Sequence, residues 1–174
     1  MENLRHQQLI ESLLFVSGQP LSVSELVRLA ALSPSEITGL LMTLKSEYDE
    51  RNGGVLIIEI AEGFAMIANP EFSETIKKMT ESVKSSRLSV AALETLSIIA
   101  YKQPSTKAEI EQIRGANSDG TVKTLLERRL IKITGRKEVP GKPLAYGTTL
   151  EFLQLFGLKN LTELPTLKEF NKVE

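Results

Sequence analysis

QPLSVSEL, residues 19–26, returns as QPSTKAEI at residues 103–110, an offset of 84 residues between Gln19 and Gln103. In both stretches a proline stops what precedes it, and a Ser/Thr-x-x-Glu pattern, Ser22 to Glu25 and Thr106 to Glu109, then opens a helix as a capping box. Along the same offset Leu9 falls on Leu93, Leu14 on Ile98 and Leu26 on Ile110. A likeness of this length marks a duplicated unit, and 174 residues accommodate two small domains.

Working outward in the first copy, Leu9, Leu13 and Val16, with Ile10 and Leu14 beside them, form a stripe at helical spacing that Gly18 and Pro20 end. Ser33, Pro34 and Glu36 repeat the capping device, and Ile37, Leu40, Leu41 and Leu44 supply the buried face of a third helix. Asn52-Gly53-Gly54 stops that helix. A β-branched run over 55–61 follows, then a turn predicted at Glu62-Gly63, then a strand through Phe64, Met66 and Ala68. Asn69-Pro70 opens a further helix through Phe72, Ile76 and Met79, and the polar stretch 81–86 reads as a linker.

The second copy follows the same order. Ser89 caps a helix running to Lys102, Thr106 and Glu109 start the next with Ile110 and Ile113 inward, and Gly115 stops it. Ser118 or Asp119 caps a third helix through Val122, Leu125, Leu126 and Leu130. Ile131, Ile133 and Thr134 read as a strand, GRKEVPGKP at 135–143 as a wing tip, and 144–149 as the returning strand. Three helices followed by a hairpin is the winged-helix order. The expected fold is therefore mainly α with small β-hairpin wings, an α+β chain of two tandem winged-helix domains at 1–84 and 87–165, with a frayed tail at 166–174.

Composition removes several chemistries. There is no cysteine, hence no disulfide, thiolate metal site or cysteine nucleophile, and the one histidine, His6, falls on a polar helix side. Carboxylates are scattered or act as caps, and GRKEVPGK lacks the spacing of a phosphate-binding loop, so neither an enzyme nor a cofactor or metal is expected. No apolar run approaches transmembrane length, so a cytoplasmic protein with no membrane partner is expected. Net charge is −1 but unevenly divided. Residues 1–86 hold seven basic and twelve acidic side chains, net −5, and residues 87–174 hold fourteen and ten, net +4.

That asymmetry bears on DNA, the usual partner of a winged helix. In the first copy Glu36, Glu47, Asp49 and Glu50 outweigh Lys45 and Arg51, and phosphate is repelled. In the second copy Arg128, Arg129, Lys132, Arg136, Lys137 and Lys142, extended by Arg114 and Lys123, make a patch with two readings. It is either a solvated wing or a phosphate contact centred on Arg136, Lys137 and Lys142.

Greasy surface is the stronger signal. The second copy's first helix carries Val90, Leu93, Leu96, Ile98, Ile99 and Tyr101 and leaves scarcely any polar sector, so it must be covered on most sides. In the first copy Phe15 sits off the helical stripe, and the run from Val55 through Ile57 to Ile60 is apolar on both faces but for Glu59. After the second wing, Phe152, Leu153, Leu155, Phe156, Leu158, Leu161 and Leu164 read as a short helix and an arm docked on the second copy.

Three segments resemble one known family in combination: LSVAALETLSIIAYKQPSTKAEIEQIRG at 88–115, TVKTLLERRLIKITGRKEVPGKPLAYGTT at 121–149 and FLQLFGLKNLTELP at 152–165. With LLFVSGQPLS near the start, the chain is similar to the bacterial segregation and condensation protein B family up to Pro165, though the acidic tail frequent in that family is nearly missing. The resemblance implies a non-enzymatic, nucleoid-associated accessory subunit of a bacterial condensin complex. It implies a homodimer formed mainly through the N-terminal domain, where the apolar pattern points to Phe15, Val55 and Ile57, and one that binds the kleisin subunit, segregation and condensation protein A. The kleisin contact is expected at Ile98, Ile99, Tyr101, Phe152 and Phe156, the structural-maintenance-of-chromosomes ATPase being reached through the kleisin and any DNA only within the complex. A winged-helix DNA-binding transcriptional regulator is the alternative.

Overall fold

The computed structural model describes residues 2–80 and 87–166, so the linker expected at 81–86 and nearly all of the expected tail lie outside the described residues. Two compact units divide them, one of residues 2–80 with 157–166, the other of 87–156.

In the first unit α1 (Glu2–Ser17), α2 (Val23–Ala30) and α3 (Pro34–Arg51) precede β1 (Val55–Ile60) and β2 (Gly63–Ala68). The capping boxes form as spaced: Ser22 Oγ accepts from Glu25 N at 3.3 Å while Ser22 N donates to Glu25 Oε2 at 2.9 Å. Ser33 and Glu36 repeat this at 3.3 and 2.8 Å, with Pro34 in the first turn. Each pair satisfies two of the backbone donors that a helix start leaves open. Ile10, Leu14, Leu26, Ile37, Leu41, Leu44, Ile57 and Phe64 close the core, each such side chain stabilising the fold by about 2 kcal/mol on burial.

Helical spacing predicts a buried stripe at Leu9, Leu13 and Val16, but α1 buries Ile10 and Leu14, keeps Leu13 only partly buried and leaves Leu9 and Val16 exposed. Polar partners on α3 fall in the same phase: Gln7 Nε2 donates to Glu47 Oε2 at 2.6 Å and the Tyr48 hydroxyl donates to Glu11. These bonds lie on the 7–11–14 side of α1, the side that carries its buried residues.

The hairpin turn is Ala61-Glu62, not Glu62-Gly63, for Ile60 pairs with Gly63. Gly63 answers a different need. A Cβ there would stand 2.6 Å from the Leu21 carbonyl oxygen, because Leu21 N donates to Phe64 O and Phe64 N to Leu21 O, both at 2.9 Å. Beyond β2, Asn69 closes the hairpin by donating to Gly53 O at 3.1 Å and opens a short 3₁₀ turn (Pro70–Phe72) that leads into α4 (Ser73–Thr80).

The second unit repeats the plan with α5 (Val90–Lys102), β3 (Ser105–Thr106), α6 (Lys107–Arg114), α7 (Asp119–Glu127), β4 (Ile131–Arg136), β5 (Leu144–Thr148) and α8 (Leu150–Phe156). Its sheet order is β3-β5-β4, with Ser105 opposite Tyr146 as Leu21 is opposite Phe64 in the first unit. Both units are therefore winged helices. Gln103 shows what the repeated QP does here: its Oε1 accepts from Thr148 N at 2.8 Å and its Nε2 donates to Ala100 O at 3.2 Å, fastening helix end to last strand.

Three further details differ from the spacing argument. α7 ends at Glu127, since Arg129 adopts φ +58 and turns the chain before Leu130. β4 continues through Gly135 and Arg136, opposite Ala145 and Leu144, so the wing tip is shorter than 135–143. Ile113 is exposed although its neighbour Ile110 is buried. Chain order alone keeps residues 157–165 with the second module, but that segment forms backbone hydrogen bonds to Ala61 and Glu62 and belongs to the first unit.

Candidate partner-binding surfaces

The first surface is the end of α1. Burial along α1 and α5 is in phase at an offset of 85 residues, matching buried Ile10 and Leu14 to Thr95 and Ile99, one more than the 84 that relates the capping boxes. At that register Phe15 stands where Ala100 is buried, yet Phe15 is 75 % exposed. Val16 beside it is 79 % exposed. The helix stops at once afterwards, with Ser17 Oγ donating to Gln19 O at 2.7 Å and Gly18 at φ +61, so the two side chains sit at a fixed helix end. Of the other residues expected to dimerise, Val55 is exposed at the start of β1.

Ile57 is not available. It is fully buried opposite Met66, because the β1 face that carries Val55, Ile57 and Glu59 is the face turned to the core. The other face, with Leu56, Ile58 and Ile60 opposite Ile67, Ala65 and Gly63, holds the half-buried apolar side chains.

The second surface lies on α5. Spacing alone places Ile98 and Ile99 off a stripe through Leu93 and Ala100, but the buried set is Ala92, Thr95, Leu96, Ile99 and Ala100. Thr95 disguises this stripe: it is a polar residue in a buried position, its hydroxyl bonded to Ala91 O at 2.8 Å and to Thr121 Oγ1 at 2.9 Å. Ile99 is thus core and cannot meet a partner, Ile98 is half-buried, and Tyr101 is 43 % exposed. Val90 and Leu93, which the spacing argument did not single out as contacts, share the exposed side of α5 with Tyr101.

α8 divides in the same way. Phe152 is buried with Leu153, while Phe156 is 47 % exposed beside Leu155. The two rings meet at a centroid distance of 4.9 Å and 47°, so the core ring props the outer one. Thr149 starts α8 by accepting from Phe152 N at 3.2 Å while it donates to Arg129 O.

The basic wing is largely engaged within its own unit. Lys137 Nζ lies 2.7 and 2.8 Å from the two oxygens of Glu109, the glutamate of the α6 capping box. That ammonium group, then the Thr106 backbone and hydroxyl bonds, hold the Glu109 carboxyl down at about 2. Arg136 Nη1 donates to Lys142 O at 2.8 Å, and Lys142 Nζ lies 3.5 Å from Glu138. Arg114 is not part of any surface patch. Its side chain is 7 % exposed, bonded to Asn117 O at 3.1 Å and Ser118 Oγ at 3.2 Å, and fixes the turn between α6 and α7. No described helix is long and apolar enough to cross a membrane.

Residues 8–167 match the family described as segregation and condensation complex subunit ScpB. Segregation and condensation protein B of Syntrophotalea carbinolica is 44% identical over 173 residues, 99% of this chain and 87% of that protein. Its counterpart from Desulforamulus reducens is 45% identical over 161 residues, 92% of this chain and 88% of that protein. The crystal structure of ScpB from Mycobacterium tuberculosis covers 91% of this chain and 98% of its own at 28% identity, with a TM-score of 0.44.

Proposed function

This chain belongs to the segregation and condensation complex subunit ScpB family, and from that premise we propose that it is a non-enzymatic accessory subunit of a bacterial condensin-like complex. It acts in chromosome condensation and partition by pairing with a second copy and binding the kleisin subunit, segregation and condensation protein A. The SMC ATPase is reached through the kleisin, and the complex works in the cytoplasm on the nucleoid.

The observation that supports this reading is the apolar surface left after each unit has folded. Phe15 and Val16 stand at the end of α1, and Tyr101, Val90 and Leu93 stand along α5 with Phe156 at the end of α8. Large apolar side chains fixed on rigid helices are the anchors from which protein interfaces are built. In this reading the α1 end with Val55 serves dimerisation, and the exposed sides of α5 and α8 serve the kleisin. The regulator alternative has less support, because Lys137 is committed to Glu109 and the exposed face of α7 offers Lys123 beside Asp119 and Glu127.

The test is co-purification with the kleisin. Tyr101→Ala together with Phe156→Ala should lower recovery of the kleisin at least about tenfold, the scale of two interface anchors, with the free protein still unfolding in a cooperative thermal transition. Full recovery with a folded double variant removes this location for the site.

A further inference from the structure

A cavity of about 430 Å³ opens in the second unit between α6 and the wing, lined by Lys102, Ser105, Glu109, Gln112, Ile113 and Lys137. The first unit is an internal control for it, because the two units share one plan. At the 84-residue offset Lys102 falls on Gly18, Ser105 on the larger Leu21 and Gln112 on Arg28. The first hairpin turns at Ala61 and Glu62, whereas the second carries its wing out through Lys137 to Pro143. Glu109 keeps the capping task that Glu25 has, and takes Lys137 as well. The walls of the cavity are thus what the second copy adds to the common scaffold. They are also fixed. Lys137 N donates to Pro143 O at 3.0 Å and Lys142 N to Val139 O at 2.9 Å, which closes the wing on itself where its lysine reaches Glu109. Ser105 Oγ donates to Lys102 O at 2.8 Å and ties the end of α5 to β3.

We propose that this cavity binds an acidic peptide segment of a partner chain, receiving a carboxylate at Lys102 and Lys137 and a neighbouring aliphatic side chain at Ile113. Charge selects the occupant. Two N–H groups of the Lys137 ammonium meet the two Glu109 oxygens, at 2.7 and 2.8 Å, which leaves one for a ligand. Lys102 makes no salt bridge among the described residues. Two cations therefore stand against one carboxylate that is already paired. The remaining walls favour a peptide over a phosphate. Glu109, held down at about 2, stays ionised at neutral pH and repels a doubly charged phosphate more than a single carboxylate. Gln112 is exposed, and its amide matches the one donor and one acceptor of each peptide unit. Ile113 is 55 % exposed and gives an aliphatic side chain a contact that a phosphate backbone does not use. The cavity shares no residue with the apolar side of α5 and α8, so it stands whether or not the kleisin docks there.

The probe is an end-capped hexapeptide alternating glutamate and leucine, titrated into the isotope-labelled full-length chain and followed by its amide resonances. A glutamine–leucine peptide, inorganic phosphate and a short DNA duplex form the parallel arms. The glutamate peptide should shift the amides of Lys102, Ser105, Gln112 and Ile113. The glutamine peptide should bind at least about tenfold more weakly, the scale of one charge-assisted hydrogen bond. Lys102→Glu should remove the response while the rest of the spectrum keeps its dispersion. The proposal is overturned if the glutamate peptide moves none of these amides at millimolar concentration, or moves only Val90 and Leu93 on α5. It is equally overturned if the glutamine peptide binds as well, or if phosphate or the duplex binds there more tightly.

Discussion

Gly63 and Leu21 approach so closely that a methyl group at residue 63 would sit 2.6 Å from the Leu21 carbonyl oxygen, inside the contact distance of any real pair. The isolated bridge between Leu21 and Phe64 therefore depends on a glycine that makes no unusual turn. Gly63→Ala should destabilise the first unit by about 1–3 kcal/mol, the range for overpacking a closed site. Gly54→Ala, with nothing within 4 Å, should change stability by less than about 0.5 kcal/mol. Urea unfolding of the two variants gives the comparison, and equal midpoints would contradict it.

The capping boxes carry a second expectation. Ser22→Ala and Ser33→Ala should each cost about 1 kcal/mol, because each leaves a helix-start N–H without its acceptor. Thermal unfolding of each against the wild type measures it, and a neutral result at both sites would remove the capping account.

Glu109 makes stability depend on pH in a stated direction. Its folded carboxyl is depressed to about 2 by Lys137 first and by Thr106 next. A depressed carboxyl contributes stability that is present above its unfolded value, near 4.5, and is lost as pH falls through the folded one. The advantage of wild type over Lys137→Met should therefore be full at pH 6 to 7 and shrink as the pH falls from about 4.5 toward about 2. A gap that stays constant across that window would show that the pair is electrostatically idle.

Ile99 and Tyr101 separate core from surface on one helix. Ile99→Ala should lower stability by about 2–5 kcal/mol, as for other buried aliphatic truncations. Tyr101→Ala should cost clearly less stability than Ile99→Ala and weaken kleisin binding instead. Denaturant titration and co-purification on the same two variants would expose an error if the effects were exchanged.

Much of this was legible in the residues, and what was not has physical causes. Ser22, Ser33 and Thr106 announce helix starts because capping is local, a side chain bonding to a backbone three residues on. The phases of α1 and α5 are not legible in the same way. Leucine, isoleucine, valine and phenylalanine occur on several sides of both helices, and which of them face inward depends on the packing of the whole unit, with polar pairs such as Gln7–Glu47 and Thr95–Thr121 falling in the same phase. Hence Ile57, Ile99 and Phe152 turned out to be core, while Phe15, Val55, Tyr101 and Phe156 remained at the surface. The placement of residues 157–166 has no signature at all, since the bonds from Ala61 and Glu62 to Leu158 and Lys159 join backbone to backbone across a long separation. Lys137 looked like part of a phosphate patch because charge counts do not reveal that Glu109 lies within 3 Å.

Phe15 is 75 % exposed, and Phe15→Glu should convert a dimer to a monomer that still unfolds in one cooperative transition. Size-exclusion chromatography with thermal unfolding follows both quantities, and a dimer that survives the change would place the interface elsewhere.

Molar mass by light scattering, on the chain alone and after addition of the kleisin subunit, bears most directly on whether these units fold with surface left for other chains. The expected values are twice 19.2 kDa alone and a heavier species once the kleisin is added. A mass of 19.2 kDa in both samples would contradict the account.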